Sequence, residues 1–140
     1  MQITYTDSIS LSDYGILEDA VGWTYNPEQF EVCIKNSAYV TAAYDGGRIV
    51  GAGRIVWDYG GDAYLEDLAV LPEYQGRGIG KALVFRVINY LENAIRPGWD
   101  INLDLIAANG KAPFYEKLGF EIRSIKEGGT AHMRMNIKKD

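Results

Sequence analysis

The stretch from residue 63 to residue 94 constrains this chain more than any other. An apolar run over 63–71 is ended by Pro72, a glycine-rich loop occupies 75–81, and Ile79, Leu83, Val87 and Leu91 then recur at i, i+4 spacing with Val84 and Ile88 beside them. The run reads as a strand and the stripe as the core-facing side of a helix to about residue 94. A helix start leaves about four backbone N–H groups unpaired at the positive end of its dipole. With Cβ atoms absent at Gly76, Gly78 and Gly80, those groups form a cradle for phosphate oxygens, and Arg77 and Lys81 add local positive charge. Two familiar phosphate loops do not fit. Lys81 is followed by Ala82, and position 75, where G-x-x-x-x-G-K-[ST] needs its first glycine, holds Gln75; the glycines are spaced G-x-G-x-G, not G-x-G-x-x-G.

The rest of the chain supplies a mixed sheet around this unit. Residues 2–6 read as a short strand, Ser10 or Ser12 as the cap of a helix towards Val21, and Asn26-Pro27 as the start of a second helix to about Lys35. Strands over 38–44, 48–57 and 63–71 are separated by Asp45-Gly46-Gly47 and by Asp58-Tyr59-Gly60-Gly61, which is hairpin chemistry. After the long helix come a strand over 101–106, a short helix over about 111–118, and a hairpin of 120–125 with 131–137. The order β-α-α-β-β-β-α-β-α-β-β predicts an α/β (α+β) fold: a mostly antiparallel sheet flanked by helices, with one parallel pair across the helical crossover.

A length of 140 residues fits one domain over 1–140, with 47% hydrophobic and 24% charged residues excluding wholesale disorder. The single cysteine, Cys33, rules out an internal disulfide and reads as a small buried hydrophobe; no Cys/His cluster has metal-ligand spacing, so no metal is expected. The net charge of -5 argues against a nucleic-acid partner. No apolar run approaches a membrane span and the first residues lack a secretory pattern, so no membrane partner and a cytoplasmic location are expected.

Residues 68–80, Leu-Ala-Val-Leu-Pro-Glu-Tyr-Gln-Gly-Arg-Gly-Ile-Gly, resemble motif A of the GNAT superfamily of acetyl-CoA-dependent N-acetyltransferases, whose core is [Q/R]-x-x-G-x-[G/A]. Phe114-Tyr115-Glu116-Lys117-Leu118-Gly119-Phe120 resembles its second motif, and the element order resembles its fold. The resemblance implies that acetyl-CoA is the co-substrate. It implies that the amides of Gln75, Gly76, Arg77, Gly78, Ile79, Gly80 and Lys81 hold its pyrophosphate, and that the backbone of Leu68, Ala69 and Val70 pairs with the pantetheine arm, Val70 N–H facing the thioester oxygen. It also implies that the strand over 63–71 splays from the parallel one, and that the protein forms a homodimer. The second motif departs from the family where an Asn and an Ala are usual: those positions hold Ala108 and Lys111, and Asn109 is one residue out of register, so that helix capping is at least as good a reading for it as a hydrogen bond to the pantetheine.

Acetyl transfer needs a base for the amine, a donor for the oxyanion and a proton for the thiolate. Glu66 and Asp67 are the only carboxylates of the 63–71 strand; strict alternation puts Tyr64, Glu66, Leu68 and Val70 on one face unless a bulge intervenes, which makes Glu66 the candidate general base. The competing reading is a structural ion pair of Glu66 or Asp67 with a base such as Arg54. Tyr115 resembles the family's tyrosine at the coenzyme sulfur, where its phenol would protonate the leaving thiolate; the alternative is a core tyrosine between Phe114 and Phe120. Trp23 and Tyr25, in the loop between the first two helices, are candidates for walling the acceptor pocket. The expected activity is transfer of acetyl to a primary amine in a ternary complex, a small-molecule amine being favoured; alternatives are a protein lysine or N-terminal acceptor, or a coenzyme-A-binding regulatory module. His132 and Arg134 alternate with Met133 and Met135, so they should leave the core face.

Overall fold

The computed structural model describes residues 2–140. Local signals in the sequence set most element boundaries. Ser10 accepts from Asp13 N at 3.0 Å and caps α1 (Leu11–Ala20), while Asn26 Oδ1 accepts from Glu28 N and caps α2 (Pro27–Asn36), whose proline needs no donor at that position. The strands β1 (Ile3–Thr6), β2 (Tyr39–Asp45), β3 (Arg48–Trp57) and β4 (Asp62–Val70) pair antiparallel in sequence. After a short 3-10 turn come α3 (Ile79–Ala94), β5 (Asp100–Ala107), α4 (Ala112–Lys117), β6 (Glu121–Ile125) and β7 (Ala131–Lys138). All seven strands form one sheet in the order β1-β2-β3-β4-β5-β7-β6, and β4·β5 is its parallel pair.

The helices divide the sheet into two faces. The predicted stripe of α3 is buried, with Val84, Val87 and Leu91 packed among Ile55, Leu65, Leu103 and Met133, and Leu83 in a neighbouring cluster with Ile79 and Val50. Burying four such side chains contributes roughly 1.5–3 kcal/mol each. Tyr115 of α4 and Leu118, which caps its C-terminus, join the same layer. On the opposite face α1 packs over β3 and β4 through Tyr14 and Leu17, and α2 rests on α1, its Phe30 ring edge-on to Tyr14 at 4.8 Å. Beyond β4 that second face is open: Ile106 of β5 is 60% exposed. Among the described residues no helix is long and apolar enough to cross a membrane.

Two irregularities in the sheet position the site. Pairing between β4 and β5 runs only from Asp62↔Asn102 to Tyr64↔Asp104, although both strands continue, so they separate into a fork beyond that point. The second is a bulge. Ala52 opposes Ala69 and Arg54 opposes Glu66, so Gly53 alone faces Asp67 and Leu68. Asp67 takes a left-handed backbone, φ 58, which aspartate adopts more readily than most side chains. Gly53 lies opposite, where an added Cβ would come within 3.2 Å of Leu68 Cδ1 and the leucine would have to give way.

Candidate functional site

The bulge corrects the expected alternation of β4. Glu66 shares a face with Arg54, and Val70 shares one with Gly51; these lie three residues apart on β3, so Glu66 and Val70 point to opposite faces. Glu66 looks to the α1 side, whereas the Val70 side chain lies on the α3 side, 3.8 Å from where a Cβ on Gly80 would stand. What Val70 presents to the fork is its backbone. Leu71 N donates to Val50 O at 2.8 Å, so alternation aims the N–H and C=O of Val70 away from β3, into the space where β5 has departed. Its carbonyl accepts from Gln75 Nε2 at 3.0 Å, and its N–H faces the fork.

Below the fork lies an open cleft of about 790 Å³, within the range of small-molecule sites. Leu68, Ala69, Val70, Gln75, Gly76, Gly78, Ile79, Gly80 and Lys81 line it, as do Glu66, Tyr115 and Trp23. Its cradle is the start of α3. The cap residue Gly78 has φ 83 and Gly76 φ 78, with nothing within 4 Å of a Cβ at either, and no side chain caps the helix. The N–H groups of Gly76, Gly78, Ile79 and Gly80 make no hydrogen bond to another described residue. Uncapped donors facing a hollow are a seat for an anion. Arg77 does not line the cleft; its guanidinium lies 5.2 Å from the centre of the Tyr74 ring.

Two further expectations change on the structure. Tyr25 stacks on Phe30 at 4.9 Å and crowds Gly15 with its hydroxyl, so it is packing between α1 and α2; of the pair only Trp23 reaches the cleft. Asn109 does not cap α4, whose cap position is Lys111, and its side chain lies against Gly129; Ala108 and Lys111 line the cleft instead.

Tyr115 lies edge-on to Phe114 at 5.0 Å and to Phe120 at 5.7 Å, which fixes its ring, and burial pushes its phenol up to about 12. It therefore stays protonated at neutral pH and its hydroxyl can donate. Burial, and then the negative charge of Asp67, hold the carboxyl of Glu66 above the usual range, with Arg54 opposing. The ion pair weighed for Arg54 belongs to Asp67: Arg54 Nε reaches Asp67 Oδ2 at 2.7 Å, and Tyr14 OH donates to the same oxygen. This network ties α1 to the bulge.

Sequence reading passed over Glu18. It lies in the last turn of α1 at 2% exposure, and burial followed by the charge of Asp67 pushes its carboxyl up to about 7. Its position on the buried stripe of α1, four residues from Tyr14, was the available signal. Among the described residues no group of three or more His, Cys, Asp or Glu is placed to hold a metal ion.

The model of the acetyltransferase (GNAT) domain matches residues 36–122. The uncharacterized N-acetyltransferase ycf52 of Pyropia yezoensis is 30% identical over 119 residues, covering 81% of this chain and 66% of that protein. The histone acetyltransferase TAP1 of Glycine max is 32% identical, covering 81% and 52% respectively. This chain thus spans about half to two thirds of the length of these curated relatives. A solved structure from methicillin-resistant Staphylococcus aureus, described as a probable acetyltransferase, matches with a TM-score of 0.80 at 27% identity, covering 88% of this chain and 92% of that one.

Proposed function

Because this chain belongs to the GNAT acetyltransferase family, we propose that it transfers the acetyl group of acetyl-CoA to a primary amine by direct attack, with no acyl-enzyme intermediate. The observation that carries the reading is the fork: a backbone N–H and an uncapped helix start turned into one cleft, at the spacing of a strand and the loop that follows it. Amides of Gly76, Gly78, Ile79 and Gly80 bind the diphosphate of coenzyme A, and the free edge of β4 pairs with the pantetheine arm as an added strand would. Val70 N–H is then the donor for the oxyanion that forms when the amine adds to the thioester carbonyl. Tyr115 hands its phenolic proton to the departing sulfur. Glu66, on the acceptor side of the sheet, accepts a proton from the amine; its raised affinity for protons brings it nearer to neutrality, where a base works best.

A small-molecule amine is the favoured acceptor, bounded by Trp23 where the α1–α2 loop overhangs the cleft. The open face beyond β4 supports a second reading, a lysine or N-terminal amine of a protein, since the exposed Ile106 leaves room for a polypeptide. The test is thiol release from acetyl-CoA over a panel of ethanolamine, putrescine, tyramine, benzylamine, lysine and an alanine-initiated peptide, with calorimetry of acetyl-CoA in parallel. Binding with turnover is expected. Binding without turnover of any amine identifies a regulatory module, and absence of binding at micromolar protein refutes the cradle.

A further inference from the structure

On the α3 side the cleft is the seat proposed for acetyl-CoA, lined by Gly78, Gly80, Lys81, Leu105 and Tyr115. An amine can therefore approach the cleft only across the opposite face. On that face the strand register lays out two rows. At the apex of the fork stand Tyr64, Asp104 and Arg134; one step beyond, His132 pairs with Ile106, and Glu66 stands on β4 across the opening of the fork. Paired side chains on adjacent strands have Cβ atoms about 5 Å apart, so His132 stands one side chain away from Ile106, which lines the cleft.

His132 is built into an unusual setting. Asp104 is 1% exposed, and its Oδ1 takes both His132 Nε2 at 2.6 Å and Arg134 Nε at 2.9 Å. Its Oδ2 is buried and has no partner among the described residues. An orphaned carboxylate oxygen costs free energy, so one persisting at a fork apex calls for a reason. A carboxylate already paired with Arg134 acts as acceptor, which places the imidazole proton on Nε2 and leaves the lone pair on Nδ1. The ring is 27% exposed, so it can pass a proton to water.

The reaction calls for such a group. One ammonium and one thioester become one amide, one thiol and one free proton: the ammonium loses a proton before nitrogen attacks the carbonyl carbon, and the nitrogen loses another as the C–S bond breaks and sulfur is protonated. We propose that His132, oriented by Asp104, accepts the first of these protons and releases it to solvent, while Glu66 takes the second and Tyr115 protonates the sulfur, the proton on Glu66 then returning through water to the Tyr115 phenolate. This rests on the acetyl-transfer reading above. The charged and titratable groups that face His132 are Asp104 of β5, Arg134 of its own strand, Glu121 and Arg123 of β6, and Asp62, Tyr64 and Glu66 of β4.

The test uses the panel amine that the wild-type chain turns over fastest, with kcat/KM followed from pH 6 to pH 9.5 in His132→Gln and Asp104→Asn. Glutamine can keep the hydrogen bond to Asp104 but cannot accept a proton. His132→Gln should lose about tenfold in kcat/KM below pH 7.5, within the usual worth of a positioned base, and recover towards wild type near pH 9.5, with acetyl-CoA affinity unchanged. Asp104→Asn should move the profile the same way by a smaller factor. An unaltered profile in His132→Gln, or a loss equal at every pH, overturns the assignment and leaves a stitch between β5 and β7. If the wild-type chain turns over no amine, the acetyl-transfer reading falls and this one with it. His132 is the only histidine in the chain, so its imidazole C–H signal also reports directly whether the ring stays ordered in Asp104→Asn.

Discussion

Substituting Glu18 by glutamine should stabilise the protein at both pH 5.5 and pH 8, and by distinctly more at pH 8. The carboxyl is buried beside Asp67 and Arg54, and its affinity for protons in the folded state is raised from the ordinary 4.5 to about 7. The unfolded chain releases this proton between about pH 4.5 and 7 while the folded one still holds it. Folding stability drawn from this group therefore falls as pH rises through that window and is flat above it. Each pH unit inside the window is worth about 1.4 kcal/mol. Between pH 5.5 and 8, roughly one and a half units of it are crossed, which amounts to about 2 kcal/mol. Glutamine has the same shape and no proton to lose, so the gap in stability between variant and wild type should widen by about that amount. With a urea slope of about 2 kcal/mol per molar, the gap in unfolding midpoint widens by about 1 M. Unfolding followed by tryptophan fluorescence at the two pH values reads this directly, and subtracting wild type from variant removes the titration of every other carboxyl. A midpoint gap identical at both pH values would refute the claim that Glu18 folds as the neutral acid.

Three further outcomes test the site. Tyr115→Phe should lower turnover about 10- to 100-fold in chemistry-limited kinetics with acetyl-CoA affinity nearly intact, because the hydroxyl matters only as the thiolate forms; unchanged turnover would make Tyr115 a packing residue. Glu66→Gln should lower turnover about 10- to 100-fold, by a similar factor from pH 6 to pH 9.5, because the proton it takes leaves nitrogen only after attack and deprotonation of the free amine does not replace that step; turnover equal to wild type would remove Glu66 as a base. Gly78→Ala places a methyl on a left-handed residue facing the cleft, costing about 1 kcal/mol of stability and at least tenfold in coenzyme A affinity by calorimetry; full retention of affinity would show that the cradle lies elsewhere.

Periodicity and turn chemistry alone carried most of the architecture, because the i, i+4 stripe of α3, the Asn26-Pro27 start of α2 and the glycine pairs of the hairpins are local signals read within a few residues. The cradle was legible for the same reason. The bulge was not: it depends on Gly53 meeting Leu68 across two strands and on Tyr14 and Arg54 converging on Asp67 from fifty-three and thirteen residues away. Strict alternation consequently assigned Glu66 to the face of Val70. Tyr25 failed similarly, since its partner Phe30 lies on a helix whose docking against α1 is a tertiary matter. The pairing of His132 with Asp104 rests on β5 and β7 being neighbours, a fact no short window contains.

Counting along β4, the extra residue at Asp67 changes odd to even, and the strand thereby acquires two owners. Everything before it, Tyr64 and Glu66, answers to whatever molecule arrives over the open face. In the proposed reaction everything after it answers to the acetyl donor through main-chain atoms, which most side-chain replacements leave in place. Positions 64 and 66 can thus drift to suit a new amine while the donor half stays constant, and one skeleton can be retuned for different acceptors without relearning how to hold its activated acyl group.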